Sequence, residues 1–418
     1  MVKINKLIVL SYMILLGSFS QPAFAVESKD TLVVGLGMGI RSLDSATSVS
    51  STDFRVANSL FDGLVKYKEG STEVQPGLAT HWKTLDQGGK YIFFLRQGVK
   101  FHDGTEFNAQ AVKFSFDRVL DKTHPYHFTG PFPLGFLYHP IQEVRVLDRY
   151  TVEFQMKNPY GPFMELLAFP IITIVSPEAV KKYGKDFKRR PVGTGVFKFA
   201  QWKVKQQIVF KRNDNYWGEK AKVKTLVFRP FVDDNVRLGE MFAGGLDMMI
   251  ELPPDSIPRF KQDSKFKFYS KISGSQNYYM LNMKEPPFND QRMRHAVNYA
   301  INKQAIIDNI LKGAASLSAG PTPEAMTWAH NSKIKPYPYN PQKAKRLIRE
   351  AGYENKKIEM HIYNSSSTLP SITSVATAVQ ADLAKVGLEV EIKIFELNTY
   401  AKHLFKGGLE GKTHIGQW

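Results

Sequence analysis

The stretch FLRQGVKFHDGTEF, Phe94 to Phe107, decides the fold. It continues the aromatic and branched run of YIFF and closes on Asp103-Gly104, a pair that favours tight chain reversal. Neighbouring residues of an extended segment point to opposite faces. His102 and Asp103 therefore do not face one another as a base and its orienting group. Asp103 reads as turn chemistry, with its carboxylate bonding nearby backbone while Gly104 takes a positive φ. The stretch is scaffold, and residues 74–107 are expected to form paired strands.

Upstream, TLVVGLG (Thr31 to Gly37) is a strand. Gly35, Gly37 and Gly39 follow a G-x-G-x-G spacing, not the G-x-G-x-x-G of a dinucleotide fold, and no helix opens there. A helix capped at Ser51 or Thr52 runs towards a stop at Gly63. Downstream, Asn108 caps the helix AQAVKFSFDRVL, with Val112, Phe116 and Val119 on one face. Residues 142–156 and 168–176 are expected to be strands, as are PVGTGVFKFAQW and QQIVFKR.

The chain changes character near residue 275. NYYMLNM is a strand, and Asn289 or Asp290 caps one long helical region, RMRHAVNYAINKQAIIDNILKG, closed by Gly313. Asn340-Pro341 opens the helix KAKRLIREAGY, with Gly352 at its stop. KIEMHIYN and LEVEIKIFEL are strands around the helix SITSVATAVQADLAKVG. Strand, helix, strand in this order gives an α/β lobe on a largely parallel sheet.

At 418 residues the chain is long enough for two or three lobes, and 43% hydrophobic with 23% charged residues is globular composition. The formal net charge is +17. Lys and Arg are spread along the chain, and the densest run, KKYGKDFKRR (Lys181 to Arg190), reads as a solvated boundary segment; no nucleic-acid partner is expected. Lys3 and Lys6, the apolar LIVLSYMILLG and Ala23-Phe24-Ala25 make an export signal cleaved after Ala25. Its loss leaves +15. There is no cysteine, hence neither a disulfide framework nor a lipid-bearing thiol, and no later stretch reads as a membrane span or anchor. A free periplasmic monomer is expected.

Motifs of catalysis are missing. LEGKT sits near the end, but Gly407 to Gly411 is one residue short of a phosphate loop. His124 and His127 are the only close histidine pair, in a proline-containing loop with no carboxylate at helical offset, so no metal is expected. H-E-x-x-H and G-x-S-x-G are absent. Neither a cofactor nor an enzymatic activity is expected, although a triad assembled from distant residues in an exported hydrolase stays open as another class of reading.

Residues 76–107, PGLATHWKTLDQGGKYIFFLRQGVKFHDGTEF, resemble the signature region of the family 5 periplasmic solute-binding proteins, which serve ATP-driven importers of dipeptides, oligopeptides and nickel. Further blocks agree in order: SLDSA (42–46), LFDGLVKY (60–67), PVGTGVFKF (191–199), RNDNYWG (212–218), PPFNDQRMRHAVNYAINKQAII (286–307), YNPQKAKRLIREAGY (339–353) and VQADLAKVGLEVEI (379–392). The resemblance spans about Thr31 to Trp418. It implies a two-lobe periplasmic binding protein fold of type II, cluster C-like, with an extra subdomain and a second lobe that is incomplete here. Residues 26–70 and 186–272 would form the main part of lobe I, 71–185 the extra subdomain, and 273–418 lobe II. Closure of the lobes on a hinge would bury a peptide-like ligand for delivery to an inner-membrane ABC permease complex. By position, the resemblance implies ligand contacts at Ser48, Ser50 and Ser51, at Asn364, Ser365 and Ser366, and at Trp418. Helix capping competes for Ser51, and a solvated turn for 364–366. Tyr216-Trp217 reads as core.

Two departures bear on the ligand. Peptide-binding relatives continue past the tryptophan into a motif whose aspartate holds the ligand's ammonium group, whereas this sequence stops at Trp418. Dipeptide-binding relatives also carry an arginine for the peptide carboxylate, where HIYNSSSTLP offers Ser366, and no arginine follows His361. A hydroxyl does not replace a bidentate guanidinium. Longer peptides, or a non-peptide ligand such as a metal chelate or glycan-peptide, are expected. A lobe short of strands exposes sheet edges. The 418-residue chain is expected to be poorly soluble or to bind little, and a normal ligand-induced rise in melting temperature would count against this.

Overall fold

The computed structural model describes residues 30–363, 371–397, 399–400 and 415–417; the export signal lies outside them. Three sheets organise the chain. The first has five strands in the order β11-β1-β10-β9-β8, with β1 at Thr31–Leu36, β8 at Phe197–Lys203, β9 at Gln207–Arg212, β10 at Thr225–Pro230 and β11 at Met248–Met249. β1 lies between β10 and β11 and is parallel to both, while β9 and β8 pair antiparallel. The second sheet is antiparallel, with β4 (Ala79–Leu85), β5 (Lys90–Leu95), β7 (Thr151–Met156) and β6 (Ile141–Asp148) in that order. A short pair, β2 (Val65–Tyr67) and β3 (Val74–Pro76), precedes it. The third sheet has the order β12-β15-β13-β14: β12 is Tyr279–Leu281, β13 Lys356–Tyr363, β14 Leu388–Phe395 and β15 Ile415–Gln417. β13 is parallel to β14 and β15.

Ten helices connect these strands among the described residues: α1 Ser51–Ala57, α2 Ala109–Leu120, α3 Phe163–Ala168, α4 Pro177–Tyr183, α5 Asp234–Phe242, α6 Ile257–Gln262, α7 Gln291–Ala300, α8 Lys303–Asn309, α9 Pro341–Glu350 and α10 Ile372–Ala384. The arrangement is the two-lobe α/β architecture of periplasmic binding proteins. Caps fall where short polar residues precede apolar periodicity. Asn108 accepts from Ala111 N at 3.1 Å, and Asn340, ahead of Pro341, accepts from Lys343 N at 2.9 Å. Among the described residues, no helix is long and apolar enough to cross a membrane.

Each sheet has its own core. In the antiparallel sheet Tyr91, Phe93 and Leu95 alternate inward from β5 and meet Val112 and Phe116 of α2. Phe154 centres an aromatic cluster, with ring centroids 4.8 Å from Phe116, 5.4 Å from Phe93 and 5.5 Å from Phe163. Each such ring contributes about 2–3 kcal/mol on burial. The five-stranded sheet packs Val34, Leu36, Phe210 and Phe228 against Val56, Leu60, Val180 and Phe187. In the third sheet Ile358, Met360 and Ile362 pack on Val375, Val379 and Leu383.

Three expected elements differ. Residues 168–176 are not a strand. The segment leaves α3 and runs irregularly, burying Ile171, Ile172, Ile174 and Val175 by packing, so its apolar run served a core without a ladder. The long helix after Asp290 is two helices. Asp290 caps α7 through Arg292 N, and Asn302 caps α8 through Ala305 N after a break at Ile301. The first helix starts on a Ser50 cap and ends at Ala57, short of Gly63.

His102 and Asp103 are scaffold. Gly104 takes φ +88°, and Asp103 Oδ1 accepts from Thr105 N at 3.0 Å while Oδ2 accepts from Ser176 Oγ at 2.6 Å. His102 N donates to Gly193 O at 2.9 Å and its Nε2 lies 2.9 Å from Gly195 O, stitching the turn to the 191–195 segment. Burial pushes the imidazole down to about 4. Gly193 and Gly195 are fixed by space, since a Cβ on either would lie 2.2–2.4 Å from the Leu60 carbonyl group.

One ion pair ties the antiparallel core to the loop after β1. Arg118 of α2 grips Asp44 through Nη1–Oδ2 at 2.8 Å and Nη2–Oδ1 at 3.2 Å, with both side chains 1% exposed. Breaking a dry pair leaves an uncompensated charge. Asp44→Ala is expected to lower unfolding stability by about 3–5 kcal/mol. Asp44→Leu with Arg118→Met should recover most of that loss, read from urea midpoints; equal losses in both variants would contradict this account.

Candidate functional site

In open α/β sheets, ligands bind outside the carboxyl ends of parallel strands. β1, β10 and β11 end at Leu36, Pro230 and Met249. The loop from Gly37 to Ser50 therefore leaves the first sheet at its ligand-competent edge. In the third sheet β13, β14 and β15 end at Tyr363, Phe395 and Gln417. The two edges are joined directly: Arg41 Nη2 lies 2.9 Å from Glu396 Oε1, one residue past β14. A cleft of about 370 Å³ opens there, lined by the Gly37–Arg41 segment, Trp202, Phe228, Pro230 and Glu396.

The loop is irregular yet buried, so its backbone donors need partners. Asp53, at the first turn of α1, supplies several. Its Oδ1 accepts from Arg41 N at 3.0 Å, and Oδ2 accepts from Ser42 N at 3.2 Å and Ser48 Oγ at 2.6 Å. Burial pushes the Asp53 carboxyl up to about 6, against the downward pull of these bonds and of the Arg41 charge. Ser48 Oγ in turn accepts from Ser50 N at 2.9 Å, and Ser50 Oγ accepts from Asp53 N at 3.4 Å.

A second carboxylate closes the loop from outside. Glu251 follows β11 on the segment leading towards the third sheet, and it adopts φ +61°, a region costly for a residue with a Cβ. Its Oε2 accepts from Gly37 N at 3.2 Å, and its Oε1 lies 2.6 Å from Arg55 Nη1 and 3.4 Å from Thr52 Oγ1. Arg237, buried, donates to the Glu251 carbonyl at 2.8 Å. A Cβ at Gly37 would lie 2.6 Å from Glu251 Oε2, so a larger residue there would push the carboxylate away from the loop.

Of the residues expected from sequence, Ser48 and Ser50 are buried and spend their hydroxyls inside the loop, whereas Ser51 opens α1 half-buried at its rim. Asn364, Ser365, Ser366 and Trp418 lie outside the described residues, as does the LEGKT stretch. Tyr216 and Trp217 are core-side groups that donate to Asp62 at 3.0 and 2.9 Å, and burial holds that carboxyl above the ordinary range. His124 Nδ1 accepts from Tyr126 N, and His127 Nδ1 sits 3.0 Å from Arg118 O. Asp53, Glu251, Arg55, Arg41 and Glu396 escaped the sequence reading. Asp53 alone left a local signal, three residues after a serine cap; Glu251 and Glu396 are separated from their partners by up to 355 residues.

The model of bacterial extracellular solute-binding proteins, family 5, matches residues 73–410. The chain is 34% identical over 400 residues to Di/tripeptide-binding protein 1 of Pseudomonas aeruginosa, covering 89% of this chain and 73% of that protein. It is 31% identical over 412 residues to Heme-binding protein A of Haemophilus influenzae, covering 94% of this chain and 75% of that protein. Among solved structures it is similar to the ABC transporter-associated periplasmic binding protein DppA from Helicobacter pylori in complex with the peptide STSA. That likeness has a TM-score of 0.80 at 29% identity, over 93% of this chain and 77% of that one.

Asp53 yields a pH test. Its carboxyl titrates near 6 in the fold against an ordinary 3.8, so between these values the folded chain binds more protons than the unfolded chain. Its contribution to stability is present at low pH and is lost as pH rises through about 6. Asp53→Asn should remove that slope. The difference in unfolding free energy between the native chain and Asp53→Asn, read from urea titrations, is expected to change between pH 4 and pH 7 by about 2 kcal/mol. A difference that stays constant with pH would rule out the buried, ionising Asp53.

Proposed function

The chain belongs to the family 5 bacterial extracellular solute-binding proteins, and we propose that it is the periplasmic substrate-binding component of an ABC importer, capturing peptides between its lobes and handing them to an inner-membrane permease. The observation that carries this reading is the likeness, over nearly the whole described chain, to a relative holding a peptide. Members of this family are binding proteins, and the reading contains no catalytic step. We take residues 26–70 and 186–272 as the main part of the first lobe, 71–185 as its extra subdomain and 273–418 as the second lobe.

The loop of Ser48, Ser50 and Ser51 is the first-lobe wall of the site in this reading. Ser51 and the loop backbone would meet the ligand, and Ser48 and Ser50 would hold the loop's shape through Asp53. The 364–366 segment and Trp418 would form the opposite wall. A peptide backbone withdrawn from water needs replacement partners, which two facing strand edges can offer. Arg41 and Glu396 are 36% and 46% exposed, so their bridge contributes at most about 1 kcal/mol and leaves the lobes free to part.

The ligand is narrowed by the stretch HIYNSSSTLP, which carries no arginine, so a dipeptide carboxylate has no guanidinium clamp from that stretch. Longer peptides fit this better. A non-peptide ligand is the second reading, favoured by the same gap and by the similarity to a heme-binding relative.

Native mass spectrometry of the exported protein identifies what it carries. Calorimetry should then find pentaalanine bound at least about tenfold more tightly than dialanine, since a bidentate contact is absent for the shorter ligand's terminus. Tighter dialanine binding would reverse the length assignment. A response to heme with none to either peptide would replace the first reading by the second.

A further inference from the structure

The run from Lys181 to Arg190 holds six cations against one carboxylate, and all six cations are exposed. It is not a loose tail. α4 enters it, Phe187 anchors it in the core, and the Lys188 carbonyl accepts from Leu43 N at 2.9 Å, fixing it behind the ligand loop. Only Lys181 has a carboxylate within ion-pair distance among the described residues, Glu178 at 2.7 Å.

The surface extends beyond the run. The Arg189 guanidinium lies 5.8 Å from the centroid of the Trp202 ring, which joins the run to the β8–β9 hairpin. The tip of that hairpin is Lys203-Val204-Lys205, each residue exposed, with Val204 at 55%, and its inner side borders the cleft. At the other end Phe128, 52% exposed, borders the Gly184 turn. The run and the elements it touches thus carry eight exposed cations, with the Val204 tip reached through Trp202 and the Phe128 ring beside Gly184. Cations alone suit solvent. Cations flanked by projecting apolar groups suit the interface of an anionic bilayer, where headgroups take the charges and the apolar groups enter the boundary.

We propose that this face, Lys181 to Arg190 with the Lys203–Lys205 tip and Phe128, is a reversible docking surface for anionic phospholipid. It would hold the protein at the membrane by charge, with too little apolar area for stable insertion. The inference does not depend on which ligand the cleft takes.

The test is flotation of the purified chain with vesicles of phosphatidylglycerol and phosphatidylcholine; flotation separates bound protein from aggregate. Binding is expected at low ionic strength and should fade well above about 0.15 M salt as screening shortens. Lys185→Glu/Lys188→Glu/Lys203→Glu/Lys205→Glu should lower it by about tenfold or more. A control with the same change in net charge, Lys265→Glu/Lys267→Glu/Lys345→Glu/Lys356→Glu, should lower it far less, with circular dichroism confirming that both variants fold. Equal losses in the two variants would assign binding to net charge and overturn the proposal. Equal binding to phosphatidylcholine alone, or capture by polyaspartate without flotation on vesicles, would also overturn it, the last in favour of an acidic protein partner.

Discussion

Irregular backbone cannot be buried unless its N–H and C=O groups find partners, and the loop between β1 and α1 is both irregular and buried. Two carboxylates supply partners for its amides, and another anchors it. Asp53 collects the Arg41 and Ser42 amides and the Ser48 hydroxyl, Asp44 takes Arg118 from α2, which packs on the antiparallel sheet, and Glu251 takes the Gly37 amide together with Arg55. The first builds the loop, the second fastens it to the subdomain, and the third fastens it to the segment that leaves the first sheet. A loop held on three sides can present a fixed rim while a lobe moves.

The same economy explains what the lobes share. The contacts within each sheet's core are dry and numerous, while the Arg41–Glu396 bridge is half-exposed and weak. Thr72 Oγ1 adds a bond of 2.8 Å to the Ala325 carbonyl across a second seam. Rigid bodies joined by contacts of this strength can exchange arrangements at little cost, as capture by closure demands.

Local signals in the chain were readable. Asn108, Asn340 and Asp290 announced their helices because a cap acts on amides two or three residues away. Asp103-Gly104 announced its turn for the same reason of range. The 168–176 segment misled because buried apolar runs look alike whether or not they pair as strands, and the helix break at Ile301 was hidden because the apolar period continues across it. In the candidate site the serines stand out by position, but the inward bonds of Ser48 and Ser50 depend on Asp53. Glu251 and Glu396 could not be matched to Gly37 and Arg41 without the fold, since nothing local links residues so far apart.

His102 and Asp53 sit in separate parts of the first lobe, yet their titrations oppose one another. Acidification from pH 6 towards 4 favours the fold through Asp53, which is reluctant to be ionised. The same acidification penalises it through His102, which is reluctant to take a proton. Two buried groups with opposite preferences flatten the dependence that either would impose alone. Over that interval the slope set by one of these two groups is opposed by the other, without either being excluded from the interior.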